Sequence, residues 1–150
     1  MSLLALDLRS VERLLSHALK ASAKCSVSDK GLVLAVSNLK VRAPVLSRTS
    51  VRARVLLSDA RLDNDTLAVR YKVLSALGLP VVSGLVSKIL TWTGAGREYG
   101  LSARGVWLSL ELEALRRKNL LPRVLAVEGL QLPTPRRRLL VLRFSVQPNA

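Results

Sequence analysis

The chain has one cysteine, Cys25, and one histidine, His17, in 150 residues. A single cysteine excludes an internal disulfide and a cysteine-built zinc site. The single histidine lies in a helical pattern beside Ser16, on a position that does not share its face, so no base is placed for a serine or cysteine nucleophile. Aromatics are almost as scarce, with two Trp, two Tyr and one Phe. Single-strand nucleic-acid readers interleave basic residues with aromatic platforms, and here only Tyr71 and Trp107 fall in alternating runs. Acidic residues are few as well, 10 against 24 Lys and Arg, giving a formal net charge of +14. Long apolar runs are missing too, since none approaches the ~18 uncharged residues of a membrane-spanning helix. The opening MSLLALDLRSVERLLSHALK is interrupted by Asp7, Arg9, Glu12 and Arg13, which argues against a cleaved signal. A cytoplasmic or peripheral membrane location is the expectation.

What is present is aliphatic. Nearly half the residues (49%) are hydrophobic, mostly Leu, Val and Ala, so the chain has the means to fold as a single domain that buries about two-thirds of its unfolded surface. The positive charge is distributed: about +2 over residues 1–30, +5 over 31–77 and +7 over 78–150 by count. No segment reads as a disordered basic arm, and the excess implies attraction to an anionic partner.

Leu4, Leu8, Val11, Leu15 and Ala18 predict an amphipathic helix over about 4–22. From Gly31 the period changes to two through Leu32, Leu34 and Val36, then Leu39 and Val41 continue in the opposite phase after Ser37 and Asn38. A one-residue slip of that kind predicts a bulge. Val51, Ala53, Val55 and Leu57, then Leu67, Val69, Tyr71 and Val73, flank turn residues Asp63, Asn64 and Asp65 and predict a long antiparallel hairpin. A second slip before Ala60 and Leu62 predicts another bulge. LPVVSGLVSKILTW starts with Pro80 and places Val82, Leu85, Val86 and Ile89 on one face of a second helix, 79–92. Strands follow within 101–146, the last two at 123–132 and 138–146, separated by PTPRR. The predicted fold class is α+β: a strongly curved antiparallel sheet of about six strands, its first part over 31–74, wrapping two amphipathic helices.

Three constellations resemble chemical motifs and have plainer readings. Asp59, Asp63 and Asp65 lack the glycine and bidentate glutamate of a calcium loop and fit a hairpin turn. GAGREYG follows a helix and precedes a strand, the reverse of a phosphate-cradling loop. Glu111 and Glu113 lie among arginines and read as surface charge pairs. No metal, cofactor or covalent chemistry is predicted, and the chain is expected not to be an enzyme.

Arginine carries the stronger signal. Lys40, Arg42, Arg52, Arg54, Arg70 and Lys72 alternate with apolar residues, so the strands present a basic face opposite an aliphatic one. Arg136, Arg137 and Arg138 add a lip ahead of LLVLRFSV, a strand apolar on both sides. Arg52, Arg54, Arg70, Lys72 and Arg136–Arg138 are the candidate anion contacts.

The hairpin SVRARVLLSDARLDNDTLAVRYKV, the helix LPVVSGLVSKILTW, and LSLELEAL, LPRVLAVEGLQL and RRRLLVLRF together resemble one module of the tubular lipid-binding superfamily, bacterial single-module type. The likeness spans most of residues 5–146 and rests on pattern and element order. It implies an aliphatic groove that holds acyl chains, with Val82, Leu85, Val86, Ile89, Val106, Leu108, Leu140 and Leu142 as lining. The expected function is non-enzymatic binding of lipid or another aliphatic ligand, with a basic exterior favouring anionic membranes. The alternatives are nucleic-acid binding on the basic face and assembly, including self-association, through two-sided apolar strands.

Overall fold

A computed structural model of the chain describes residues 2–41, 49–77 and 99–146. Nine strands and two helices occur among them: β1 (Ser2–Asp7), α1 (Leu8–Leu19), β2 (Ser22–Ser28), β3 (Gly31–Val41), β4 (Thr49–Asp63), β5 (Thr66–Leu77), β6 (Leu101–Arg104), β7 (Trp107–Glu111), α2 (Leu112–Arg117), β8 (Leu125–Gln131) and β9 (Leu139–Val146). They make a six-stranded sheet ordered β2-β3-β4-β5-β7-β6 and a three-stranded sheet ordered β1-β9-β8. All pairings are antiparallel.

The antiparallel, strand-dominated α+β reading therefore stands, while the single strongly curved sheet does not: two sheets form, and they are not strongly curled. The phase slips do produce bulges, with register shifts at Val36/Leu39 and at Leu57/Asp59, and a third at Arg54/Val55. A bulge re-aims side chains locally, and here it keeps the apolar positions on one face without rolling the sheet up. Asn38 takes a left-handed backbone (φ 58°) at the first of these, and Asn64 (φ 55°) turns the β4–β5 hairpin, as asparagine tolerates better than other non-glycine residues.

The first helix is shorter than 4–22. Asp7 caps it by accepting the Ser10 N–H at 2.7 Å, and the preceding residues pair with β9, with Leu4 opposite Leu142. The amphipathic stripe thus starts at Leu8, and Leu4 belongs to a strand. The 101–146 stretch is also interrupted, because Leu112 and Glu113 open α2 instead of extending β7. The 79–92 helix lies outside the described residues.

Two apolar clusters organise the core. Val36 and Leu39 pack with Leu34, Ala76, Leu19 at the end of α1 and Ala21 in the turn that follows it. Leu67, Leu112 and Val127 gather Leu62, Leu110, Leu115, Leu130 and Leu142, joining the hairpin end of the large sheet to α2 and the small sheet. Arg116 clamps this junction: its guanidinium pairs with Asp65 in the hairpin turn, lies 3.6 Å from Glu113 and donates to the Leu125 carbonyl at 3.2 Å.

Candidate functional site: a two-faced sheet

Cross-strand partners point to the same side of a sheet, so the register assigns every side chain to a face. Starting from Leu57, one side collects Cys25, Val27, Leu32, Leu34, Val36, Ala53, Val55, Leu57, Ala60, Leu62, Leu67, Val69, Tyr71, Val73, Ala76, Leu108 and Leu110. No charged side chain falls there among the described residues. The other side holds Lys24, Arg52, Arg54, Asp59, Arg61, Asp63, Arg70, Lys72, Arg104 and Glu111, all exposed, with the acidic residues confined to the hairpin end and the β4 bulge. The segregation survives three register shifts, and at the two between β4 and β5 the extra residue, Ser58 or Leu74, stands outside the alternation and is exposed.

The two clusters cover the ends of the apolar face. Val55, Leu57, Val69, Tyr71, Val73 and Leu108, between them, belong to neither cluster and are only partly buried. Of the predicted lining residues, Leu108 lies on this face and Leu142 packs into the second cluster. Leu140 shares the Leu142 face of β9 and is partly buried. Val106 sits in the β6–β7 turn, 47% exposed, and its carbonyl accepts the Tyr71 N–H at 2.8 Å. Val82, Leu85, Val86 and Ile89 lie outside the described residues.

The basic face is less uniform than alternation suggests. Val33 and Leu56, cross-strand partners on that side, are buried. Arg61 stacks on Trp107 with its guanidinium carbon 3.9 Å from the ring centroid, over a register position, Ala68, that is itself buried. Sequence reading noticed Trp107 and missed its arginine, because the pair is separated by a whole strand. Tyr71 falls on the opposite, apolar face.

Arg136–Arg138 are not on this sheet. Thr134 and Arg137 close a small loop, each backbone N–H engaging the other residue, and the Arg137 guanidinium donates to the Gln131 amide oxygen at 2.5 Å. That loop walls a cleft of about 440 Å³ with the β2–β3 turn and the β4 bulge, where Asp29 and Asp59 offset Lys30 and Arg137. The strand that follows, β9, is central in its sheet, with Val141 buried and Leu142 packed in the core.

The single cysteine and the single histidine are not placed together. Glu12 accepts the Cys25 N–H at 2.8 Å and Ser16 accepts the Ala23 N–H at 3.0 Å, so helix α1 covers part of the free edge of β2. Burial, and secondarily Glu12, push the Cys25 thiol up to about 11. His17 is exposed on α1. Among the described residues no group of three or more His, Cys, Asp or Glu is disposed to hold a metal, and no helix is long and apolar enough to cross a membrane. Comparison with family models, with curated proteins and with solved structures finds no match to this chain.

Proposed function

We propose that the protein is a non-enzymatic binder of lipid or another aliphatic ligand, held against the apolar face of the large sheet, with the basic face turned to anionic membrane surfaces. The observation that carries this is that one side of β3, β4 and β5 carries no charged side chain among the described residues, a pattern maintained through three register shifts while the cations fall on the other side. A sheet needing only a core would not require every inward position to remain apolar beyond the two clusters. Val55, Leu57, Val69, Tyr71, Val73 and Leu108 are the residues expected to touch the ligand, each through apolar contact alone. Leu140 and Leu142, and by sequence Val82, Leu85, Val86 and Ile89, extend that wall. The resemblance to a tubular lipid-binding module, which implies an aliphatic surface that holds acyl chains, is part of the proposal.

Nucleic-acid binding on the basic face is the weaker reading, for a specific reason. Base stacking needs an open aromatic surface, and the aromatic on that face, Trp107, has Arg61 against its ring.

Native mass spectrometry of the purified protein, before and after organic extraction, tests the reading. The expected result is a set of adducts with acyl-lipid masses that extraction removes. An adduct-free protein that instead binds single-stranded nucleic acid with a steep salt dependence would replace this proposal by the alternative.

A further inference from the structure

At one place on the basic face the strands build a receptacle. Lys24, Ala35, Arg54 and Ser75 are successive cross-strand partners on β2, β3, β4 and β5. Ala35 is the small member of this row, so the long side chains on either side stand above a low floor. The result is a cleft of about 220 Å³ whose walls include Lys24, Ser37, Arg52, Arg54 and Ser75. Neighbouring strands are spaced so that Lys24 and Arg54 stand about 10 Å apart across Ala35, a span that two long cationic side chains close around a single group.

We propose that this cleft binds one phosphate group, a phosphomonoester or phosphodiester, at the basic face. Three cationic residues, Lys24, Arg52 and Arg54, line it beside Ala35, Val36 and Ala53, and none of the three has a carboxylate partner among the described residues. Glu12, which shares an adjoining cleft with Lys24, has an oxygen committed to the Cys25 N–H. That adjoining cleft adds Arg9 and Arg13, so the positive potential extends beyond the three. Two planar guanidinium forks, one ammonium and two hydroxyls match a tetrahedral anion with several acceptor oxygens better than a carboxylate with two. The small volume suits a head group; drug-sized ligands use roughly 300–1,000 Å³. Arg70 and Lys72 lie farther along the same face and do not line the cleft.

This inference rests on the reading of the basic face as anion-facing and is independent of whether the apolar face holds an acyl chain. Inorganic phosphate titrated into the labelled protein should shift the amides of Ala35, Ser37 and Ser75 saturably. Arg52→Gln with Arg54→Gln should weaken binding by about tenfold or more. Ala35→Leu, which fills the floor and removes no charge, should do the same, and it decides the matter should the arginine variant unfold. Arg70→Gln with Lys72→Gln should stay within about twofold. Phosphatidylcholine vesicles with and without phosphatidic acid identify the source: a preference for phosphatidic acid, competed by free phosphate, assigns the cleft to a lipid head group, and phosphate binding without that preference assigns it to a free phosphorylated compound. Equal losses in both double variants, or shifts spread evenly over the face, would overturn the site in favour of diffuse charge. Acyl-lipid retention measured on the same variants separates the two proposals, since either can fail while the other holds.

Discussion

Cys25 illustrates how little of a residue's chemistry its identity conveys. Its side chain is half-buried behind α1, and burial first, then the neighbouring Glu12 carboxylate, raise its thiol from 9.0 to about 11. The neutral thiol is the form the fold favours, so between pH 9 and 11 the unfolded chain loses this proton while the folded chain keeps it, and stability falls as pH rises through that window. At pH 8 the folded thiolate fraction is roughly a hundredfold below that of an unperturbed thiol, and the thiolate is the nucleophile. Disulfide-exchange labelling should therefore be much slower in the folded protein than in urea at pH 8, with the folded rate climbing toward pH 11. Equal rates in both states would remove the burial argument. Gly31 is a second residue whose role only three dimensions reveal. Sequence reading used it to mark the start of the period-two pattern, but its φ of 145° and the Leu57 carbonyl, 2.2 Å from where a Cβ would stand, show that β3 enters the sheet against the backbone of β4.

Elements that follow from hydrophobic period were legible, and elements that depend on partners were not. The β4–β5 hairpin, its Asp63–Asp65 turn region and the bulge at Ser37 and Asn38 could be read because a strand's side-chain period is two and a slip of one is visible. β2 was missed: in SAKCSVS only Ala23, Cys25 and Val27 mark the inner face, and serine occupies much of the rest. β1 was absorbed into the helix because Leu4 fits a spacing of four from Leu8, and only its pairing with β9 decides otherwise. The basic face could be foreseen, but not the cleft, since Lys24 and Arg54 meet through β3. What holds β2 in place is also a tertiary device. Glu12 and Ser16, one helical turn apart, take the outward N–H groups of Cys25 and Ala23, covering that part of the edge against extension by another chain. Glu12→Ala should destabilise by about 1–2 kcal/mol, because it strands a partly buried donor as well as losing a bond. Urea unfolding would register this, and the double variant with Ser16→Ala should also self-associate. An unchanged midpoint would mean that α1 holds β2 by apolar packing alone.

For the whole molecule, the proposed function places two different attractions on opposite sides of one sheet. A formal charge of +14 acts over about 8 Å at physiological ionic strength, and each Lys or Arg brought to an anionic surface contributes about 1 kcal/mol. Apolar contact with an acyl chain has no such dependence on salt. The two should therefore come apart when ionic strength is changed. Raising salt from about 50 mM to about 200 mM should reduce association with anionic vesicles by roughly tenfold or more, as counterions compete for the basic face. Over the same range the acyl-lipid adduct that the proposed function expects, measured after gel filtration by extraction and mass spectrometry, should be unchanged. A charge substitution on the basic face should reproduce the first effect without the second, and an aspartate at Leu57 or Val73 the second without the first. Co-release of bound lipid and vesicle docking by salt would show that a single surface performs both tasks, and the two-faced arrangement would then have to be given up as the basis of function.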